Sequence, residues 1–343
     1  MSRSTKTLTV SLLATTALGL LVTLNPFASG GDPNAAPEVA LTFQDETIAE
    51  SSGLVVRGDR VLTINDSGDG PYVYGVDRST GETLAVTTFD DEEPEDLEAI
   101  AAGRGRSVWV GDIGDNQRAR GSVRVHRLVP SPSGGTVEAE TFELTYPDRS
   151  HDAETLLVHP RTEEVLLVTK RPFIGGVVYR APSPLREGEL HQLERVGSVS
   201  GMVTDGAFLP DGRHFVVRTL GAAAVYTYPG IEKVTEFFLP EQDQGEGIAV
   251  GDDGRIYLSS EGELSDVLVM DLPPLDRPDE AEGSEGVRVP GPAPEENDAG
   301  PAPDEGNGAG LGRPRGYVLA AVLGSAFVAL LVRASRRRSR RRR

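Results

Sequence analysis

Residues 96–116 read DLEAIAAGRGRSVWVGDIGDN. Two acidic groups flank a short run of strand-forming residues: Asp96 and Glu98 precede it, and Asp112 and Asp115 follow it. A polar turn divides the run into two strands, as expected of a β-hairpin. A hairpin brings its two ends together, so both acidic groups are predicted to lie at the same end of a sheet.

Four further segments repeat this pattern, beginning at Glu50, Asp152, Asp205 and Gly245. Successive units start 46, 56, 53 and 40 residues apart. Each contains a short apolar strand, a polar turn and a second strand, usually followed by a third and a fourth. This is the spacing of four-stranded propeller blades. The sequence predicts an all-β propeller of about five blades, with six as the alternative if the long second or third unit contains an additional sheet.

The last unit lacks a fourth strand, whereas residues 39–43 form a strand that precedes the first unit. An N-terminal strand that completes the last blade closes the ring and removes an exposed sheet edge. We therefore expect residues 39–43 to pair with the final unit.

This blade pattern resembles the secreted bacterial β-propellers of the phytase-like and gluconolactonase-like groups. The run DAETL at residues 152–156 is similar to the Asp-Ala-Glu-Gly run of β-propeller phytases. That resemblance implies calcium ligands at Asp152 and Glu154 and a phosphate contact at Lys170. Thr155 stands where those phytases have glycine.

In a propeller, the loop that enters the first strand and the loop that joins the second to the third surround the mouth of the central channel. The acidic residues of these loops are predicted metal ligands: Asp66, Asp96, Glu98, Asp112, Asp115, Asp152, Glu154, Asp205, Glu246 and Glu261. Clusters that contain only oxygen ligands suit Ca²⁺. The alternative for each residue is a structural role, since Asp and Asn often cap their own turns.

Three other residues are candidates for catalysis. Lys170 and Arg218 are predicted at the mouth, where they would hold an anionic group. His151 precedes Asp152 and is a candidate general base. The chain has no cysteine, Gly-x-Ser-x-Gly elbow, P-loop, dinucleotide fingerprint or zinc-ligand spacing. The sequence favours a binding or scaffold module with a calcium-binding mouth; the alternative is a metal-dependent phosphoesterase or small-ester hydrolase.

The two ends of the chain predict export and anchoring. Residues 1–30 read as a signal peptide, with an uncleaved anchor as the alternative. Residues 38–272 form the predicted ectodomain, and residues 273–312 a disordered spacer rich in Pro, Glu and Gly. Residues 313–343 contain a 17-residue apolar span followed by eight arginines, the pattern of a transmembrane helix with a cytoplasmic tail. The predicted location is the cell membrane, crossed once, with the ectodomain extracellular.

The charge of the chain bears on its partners. The formal net charge is −19, and all 53 acidic residues lie within residues 31–312. Such a surface repels nucleic acid and attracts cations. The predicted partners are the membrane, through the C-terminal helix, and a cell-surface polymer, a protein or a small anionic ester.

Overall fold

Five short strands, one from each sequence unit, surround a common axis. The computed structural model describes residues 37–275, apart from residue 67, residues 90–93 and residue 173. The innermost strands are β2 (Ser51–Arg57), β6 (Leu97–Ala102), β11 (Ala153–Val158), β16 (Val203–Phe208) and β20 (Gly245–Val250). Each contacts the innermost strand of the next unit, and β20 returns to β2. The ring is closed, and the protein is a five-bladed β-propeller as predicted.

Three further antiparallel strands extend each blade outward from the axis. The second strands are β3 (Arg60–Asn65), β7 (Val108–Asp112), β12 (Val165–Thr169), β17 (His214–Thr219) and β21 (Arg255–Ser260). The third strands are β4 (Tyr72–Asp77), β8 (Val123–Leu128), β13 (Gly176–Arg180), β18 (Ala222–Thr227) and β22 (Asp266–Asp271). The fourth strands are β5 (Thr83–Phe89), β10 (Glu140–Thr145), β15 (Glu194–Val199), β19 (Lys233–Phe238) and, for the last blade, β1 (Glu38–Thr42).

The pairing of β1 with β22 confirms the predicted closure of the ring. The two strands are antiparallel, and Thr42 lies opposite Asp266. Leu41 and Phe43 are buried in the apolar cluster that joins the last blade to the first. Closure therefore combines backbone hydrogen bonds with apolar burial.

Two additional strands account for the long second and third units. Strand β9 (Gly135–Val137) leaves the second blade and pairs in parallel with β5 of the first blade. Strand β14 (Leu190–Gln192) leaves the third blade and pairs in parallel with β10 of the second. Each covers the outer edge of the preceding blade, so the extra residues do not form a sixth blade.

The apolar core lies between neighbouring blades. Valine, leucine and isoleucine of the inner and second strands fill these spaces because their side chains alternate between the two faces of each sheet. Trp109 belongs to the cluster between the second and third blades, where its ring stacks on Phe142 at 5.5 Å. Trp109 is thus a core residue.

The predicted signal peptide, most of the predicted spacer and the predicted membrane span lie outside the described residues. Within the part that the structure describes, no helix has the length and apolar character needed to cross a membrane.

Candidate cation-binding site at the channel mouth

The two sets of loops meet at one end of the propeller, as the hairpin pattern predicts. The backbone amide that follows the second strand donates to a carbonyl of the loop entering the first strand. These pairs are Asp66 with Glu50 (2.9 Å), Gly114 with Asp96 (3.1 Å), Lys170 with Asp152 (2.8 Å) and Glu261 with Gln244 (3.1 Å). Each of these hydrogen bonds therefore holds the two loops of one blade together at this end of the propeller.

A repeated irregularity in the innermost strands determines which side chains face this opening. In every blade the register shifts by one residue just after the first strand begins. In the second blade, for example, Leu97 pairs with Asp112 and Ala99 with Gly111, which leaves Glu98 unpaired. Such β-bulges redirect a side chain away from its regular position. Glu154 and Glu246 occupy the equivalent bulges of the third and fifth blades.

Among the described residues, Asp66, Asp96 and Glu98 form a close carboxylate group at the mouth, here called the acidic triad. One carboxylate oxygen from each residue lies within 4.8 Å of the others. Asp66 and Glu98 are buried, and Asp96 is half-buried. Oε1 of Glu98 is buried and has no hydrogen-bond partner within the described part of the chain. A buried polar atom without a partner is costly unless a ligand satisfies it.

Gly114 provides the space that the triad occupies. A Cβ atom at this position would lie 2.6 Å from the Asp96 carboxylate and 2.8 Å from Cγ of Glu98. Any other residue would displace these two side chains. The glycine of the GDIGDN segment is therefore part of the geometry of the triad.

The electrostatic environment of the triad favours the addition of positive charge. Burial raises the pKa of Glu98 well above its usual range, and the carboxylates of Glu154 and Asp96 raise it further. Protonation is one means by which such a group relieves its repulsion, and a bound cation is another.

Lys170 provides a local positive charge beside the triad. Its Nζ lies 2.5 Å from Oε1 of Glu154. Burial and the surrounding carboxylates raise the pKa of Glu154 to about 7, despite the opposing effect of Lys170. Burial and the Glu154 carboxylate raise the pKa of Glu246 to about 8. Burial opposes the charge on Lys170, but Glu154, Glu246 and Glu98 raise its pKa overall.

Asp112, a predicted metal ligand, forms ion pairs with two arginines. Its carboxylate lies 2.8 Å from Arg120 and 2.8 Å from Arg124. It also accepts the backbone amide of Asp96 at 2.9 Å. Burial opposes ionisation, but the hydrogen bond and charge of Arg120 lower the pKa of Asp112 overall. Neither arginine was predicted from the sequence, although Arg124 lies opposite Asp112 in the β7–β8 register.

Asp115 and Asp152 hold loops in place. Asp115 accepts the backbone amides of Ala119 and Arg120, each at 2.9 Å, and so caps its own turn. The amide of Asp115 donates to Oδ1 of Asp152 at 2.9 Å, which ties the second blade to the third. Burial raises the pKa of Asp152. Both residues lie at the mouth and have structural hydrogen bonds there.

Asp205 does not occupy the position that the repeat alignment gives it. Asp205 is the first paired residue after the bulge, the position that Ala99 and Thr155 occupy in the second and third blades. It therefore lies within the strand and not before it. Its Oδ2 accepts the backbone amide of Ile248 in the next blade at 2.8 Å. Burial raises its pKa well above the usual range.

Arg218 is fully buried between the fourth and fifth blades. It donates to the carbonyls of Gly247 at 2.6 Å and Ser259 at 2.8 Å, and to Oε1 of Gln242 at 2.8 Å. Burial lowers its pKa to about 10. These contacts brace two blades, and the guanidinium is not exposed to a substrate.

His151 and Glu261 are the two remaining residues predicted at the site. Nε2 of His151 lies 3.0 Å from both Oδ1 of Asp148 and the Tyr179 hydroxyl, and its ring packs on Tyr146. His151 is thus held among aromatic side chains. Glu261 follows β21 at the mouth, pairs with Glu50 by a β-bridge and raises the pKa of Glu246.

No family model and no curated protein matches the chain. Matching solved structures include one titled as the crystal structure of a glucose dehydrogenase, at 12% sequence identity and a TM-score of 0.43. The match covers 69% of this chain and 100% of that one. The chain is a five-bladed propeller with an acidic channel mouth.

Proposed function

We propose that the protein is a binding module whose channel mouth holds a divalent cation, Ca²⁺, at the acidic triad. The buried Glu98 Oε1 supports this proposal most directly, because this oxygen has no hydrogen-bond partner in the described structure and Glu98 lies beside two further carboxylates. A divalent cation would satisfy that atom and offset three neighbouring negative charges.

The type of ligand favours calcium. Asp66, Asp96 and Glu98 offer only carboxylate oxygens, and Ca²⁺ accepts about six to eight oxygen ligands in loose geometry. Bidentate carboxylates and water would complete such a shell. Zinc prefers the nitrogen of histidine or the sulfur of cysteine, and the triad contains neither.

Binding is favoured over catalysis by the surroundings of the predicted catalytic residues. Arg218 is fully buried and donates to backbone carbonyls and a glutamine. His151 is held by Asp148 and Tyr179. Lys170 keeps 23% of its side chain exposed, so the ester-hydrolase alternative depends on this residue acting with the metal.

Exposed apolar side chains on the mouth face favour a polypeptide as the partner. Ile174, Leu220 and Leu264 are 67%, 46% and 45% exposed. They lie between the second and third strands of three consecutive blades, where turns usually carry polar residues. Leu264 has φ of +55°, a conformation rarely adopted by a large apolar residue. The acidity of this face disfavours an anionic ester or polymer.

The proposed module is displayed outside the cell and tethered to the membrane. This part of the proposal rests on the sequence pattern of residues 1–30 and 273–343. The Pro- and Glu-rich segment would act as the spacer between the propeller and the membrane.

Calorimetric titration of the full, EDTA-stripped chain with CaCl₂ tests the cation site. We expect one ion per chain with a Kd of about 10⁻³ M or tighter. Glu98→Gln removes a ligand charge and should abolish the binding heat. Asp59→Asn, at an exposed turn between β2 and β3, should leave it unchanged. Absence of binding heat in the wild-type chain would exclude the proposed site.

A separate assay distinguishes the binding module from the hydrolase. The full chain is incubated with phosphate and carboxylic esters in calcium, beside Asp152→Ala. We expect equal, background turnover for both proteins. Calcium-dependent turnover that Asp152→Ala abolishes would support the hydrolase instead.

A further inference from the structure

The acidic mouth contains one feature that the proposed calcium site does not use. The bulge glutamates of the second, third and fifth blades, Glu98, Glu154 and Glu246, all interact electrostatically with Lys170. The ammonium group of Lys170 contacts Glu154 at 2.5 Å. Bulges at equivalent places in three blades thus supply three carboxylates that raise the pKa of Lys170, and one of them, Glu154, contacts its ammonium group.

The position of Lys170 in the repeat explains why it lies at the mouth. It directly follows the second strand of its blade, which is also the position of Asp66 in the first blade and Glu261 in the fifth. The first blade thus supplies an acid to the triad from the position at which the third blade supplies a base. The same repeat position thus supplies a negative charge in the first blade and a positive charge in the third.

We propose that the mouth has two cation positions, and that the side chain of Lys170 permanently fills the inner one. The inner position is bounded by Glu98, Glu154 and Glu246, and the outer one is the acidic triad. Lys170 therefore determines specificity: it limits the mouth to one divalent ion. This inference extends the proposed function, since the outer position is the proposed calcium site.

Glu98 couples the two positions because it belongs to both. It is a member of the triad and it interacts with Lys170. An ammonium group near the triad repels a divalent ion, so Lys170 weakens binding at the outer position. Removal of that charge should strengthen the outer site and leave Glu154 and Glu246 free to bind a second ion.

Calorimetric titration of the full chain with CaCl₂ alone tests this inference. Lys170→Met keeps an unbranched side chain that is one atom shorter, and it removes the charge. We expect the variant to bind two ions per chain, the first about tenfold more tightly than the wild type does. Lys170→Arg, which restores a positive charge, and Arg171→Met, at the adjacent residue, should each bind one ion with the affinity of the wild type.

The outcomes separate this inference from the proposed function. One ion in the wild type and the same number and affinity in Lys170→Met would overturn the inner position and leave the calcium site. No ion in the wild type but one in Lys170→Met would support the inner position and exclude the proposed function.

Amine labelling of the wild type provides a test if Lys170→Met does not fold. The sequence contains three lysines, and Lys233 exposes 42% of its side chain in a surface ion pair. We expect Lys170 to react with an acylating reagent about tenfold more slowly than Lys233, because its ammonium group contacts Glu154 and only 23% of its side chain is exposed. Glu154→Gln should accelerate labelling of Lys170 and leave Lys233 unchanged. Equal rates for the two lysines in the wild type would overturn the inference.

Discussion

At the scale of single residues, the neighbours of each carboxylate determine its role at the mouth. Asp112 and Glu98 are both fully or almost fully buried, and the two lie in the same blade. Asp112 is held by Arg120 and Arg124, whereas Glu98 has an oxygen without a hydrogen-bond partner in the described structure. The first is a structural anion, and the second is a candidate ligand.

Gly114→Ala tests the geometry of the triad. The added Cβ would overlap the side chains of Asp96 and Glu98 and force them apart. Overpacking of this kind costs about 1–3 kcal/mol, and we expect calcium affinity to fall about tenfold. Gly121→Ala lies in the same loop with open space around it and is the matched control. Equal calcium affinities for the two variants, measured by calorimetry, would contradict the described geometry.

Arg124→Met tests the structural role of Asp112. Removing Arg124 leaves the buried Asp112 carboxylate with Arg120, one of its two arginine partners, and we expect the free energy of unfolding to fall by about 1–3 kcal/mol. Arg127→Met, three residues further along β8, breaks only an exposed pair with Glu140 and should cost less than about 1 kcal/mol. Urea denaturation measures both values. A loss for Arg124→Met no larger than that for Arg127→Met would show that Asp112 does not depend on this pair.

The sequence predicted where most site residues lie but not what each contacts. Asp96, Glu98, Asp152 and Glu154 could be placed because hairpin ends must meet at one end of a blade. The position of Asp205 and the burial of Arg218 were not predicted, because a one-residue bulge changes the register of every side chain before it. Arg120 and Arg124 were missed because cross-strand partners depend on register as well.

At the scale of single elements, two kinds of irregularity build the site and close the ring. Bulges hold Glu98, Glu154 and Glu246 in three inner strands, while β1 replaces the missing fourth strand of the last blade. The completion of the last blade by β1 was predictable, because the last sequence unit has one strand too few. The bulges and the parallel strands β9 and β14 were not, since neither has a distinct residue pattern.

Leu41→Asp tests the contribution of β1 to the ring. Leu41 is 6% exposed within the apolar cluster between the last and first blades, so a carboxylate there would be buried without a partner. We expect a loss of about 3 kcal/mol or more in the free energy of unfolding. Val39→Asp, on the exposed face of the same strand, should change it by less than about 1 kcal/mol. Comparable losses in thermal and urea melts of both variants would show that β1 does not form part of the core.

At the scale of the whole molecule, closure of the ring concentrates negative charge in one place. Acids that lie more than a hundred residues apart, such as Glu98 and Glu246, come under the influence of one lysine. Their repulsion opposes folding unless protons, Lys170 or a metal ion offset it. The stability of the propeller should therefore depend on pH and on calcium together.

In EDTA, we expect the Tm to fall as the pH rises from about 5 to about 8.5. The pKa values of Glu154 and Glu246 are raised to about 7 and about 8, from an ordinary value of 4.5. Because the folded state holds these protons more tightly, its stability is greatest at low pH and is lost as the pH passes the raised values. Thermal melts of the full chain measure this dependence, and Glu154→Gln combined with Glu246→Gln should flatten it. A Tm that rises steadily across this interval would contradict the assigned pKa shifts.

X-ray diffraction from crystals of the full chain grown in CaCl₂ tests the central claim most directly. We predict an anomalous difference peak at the channel mouth, about 2.3–2.6 Å from a carboxylate oxygen of each of Asp66, Asp96 and Glu98. A mouth with no peak, or calcium bound only at other surfaces of the propeller, would contradict the claim that these three carboxylates form a cation site.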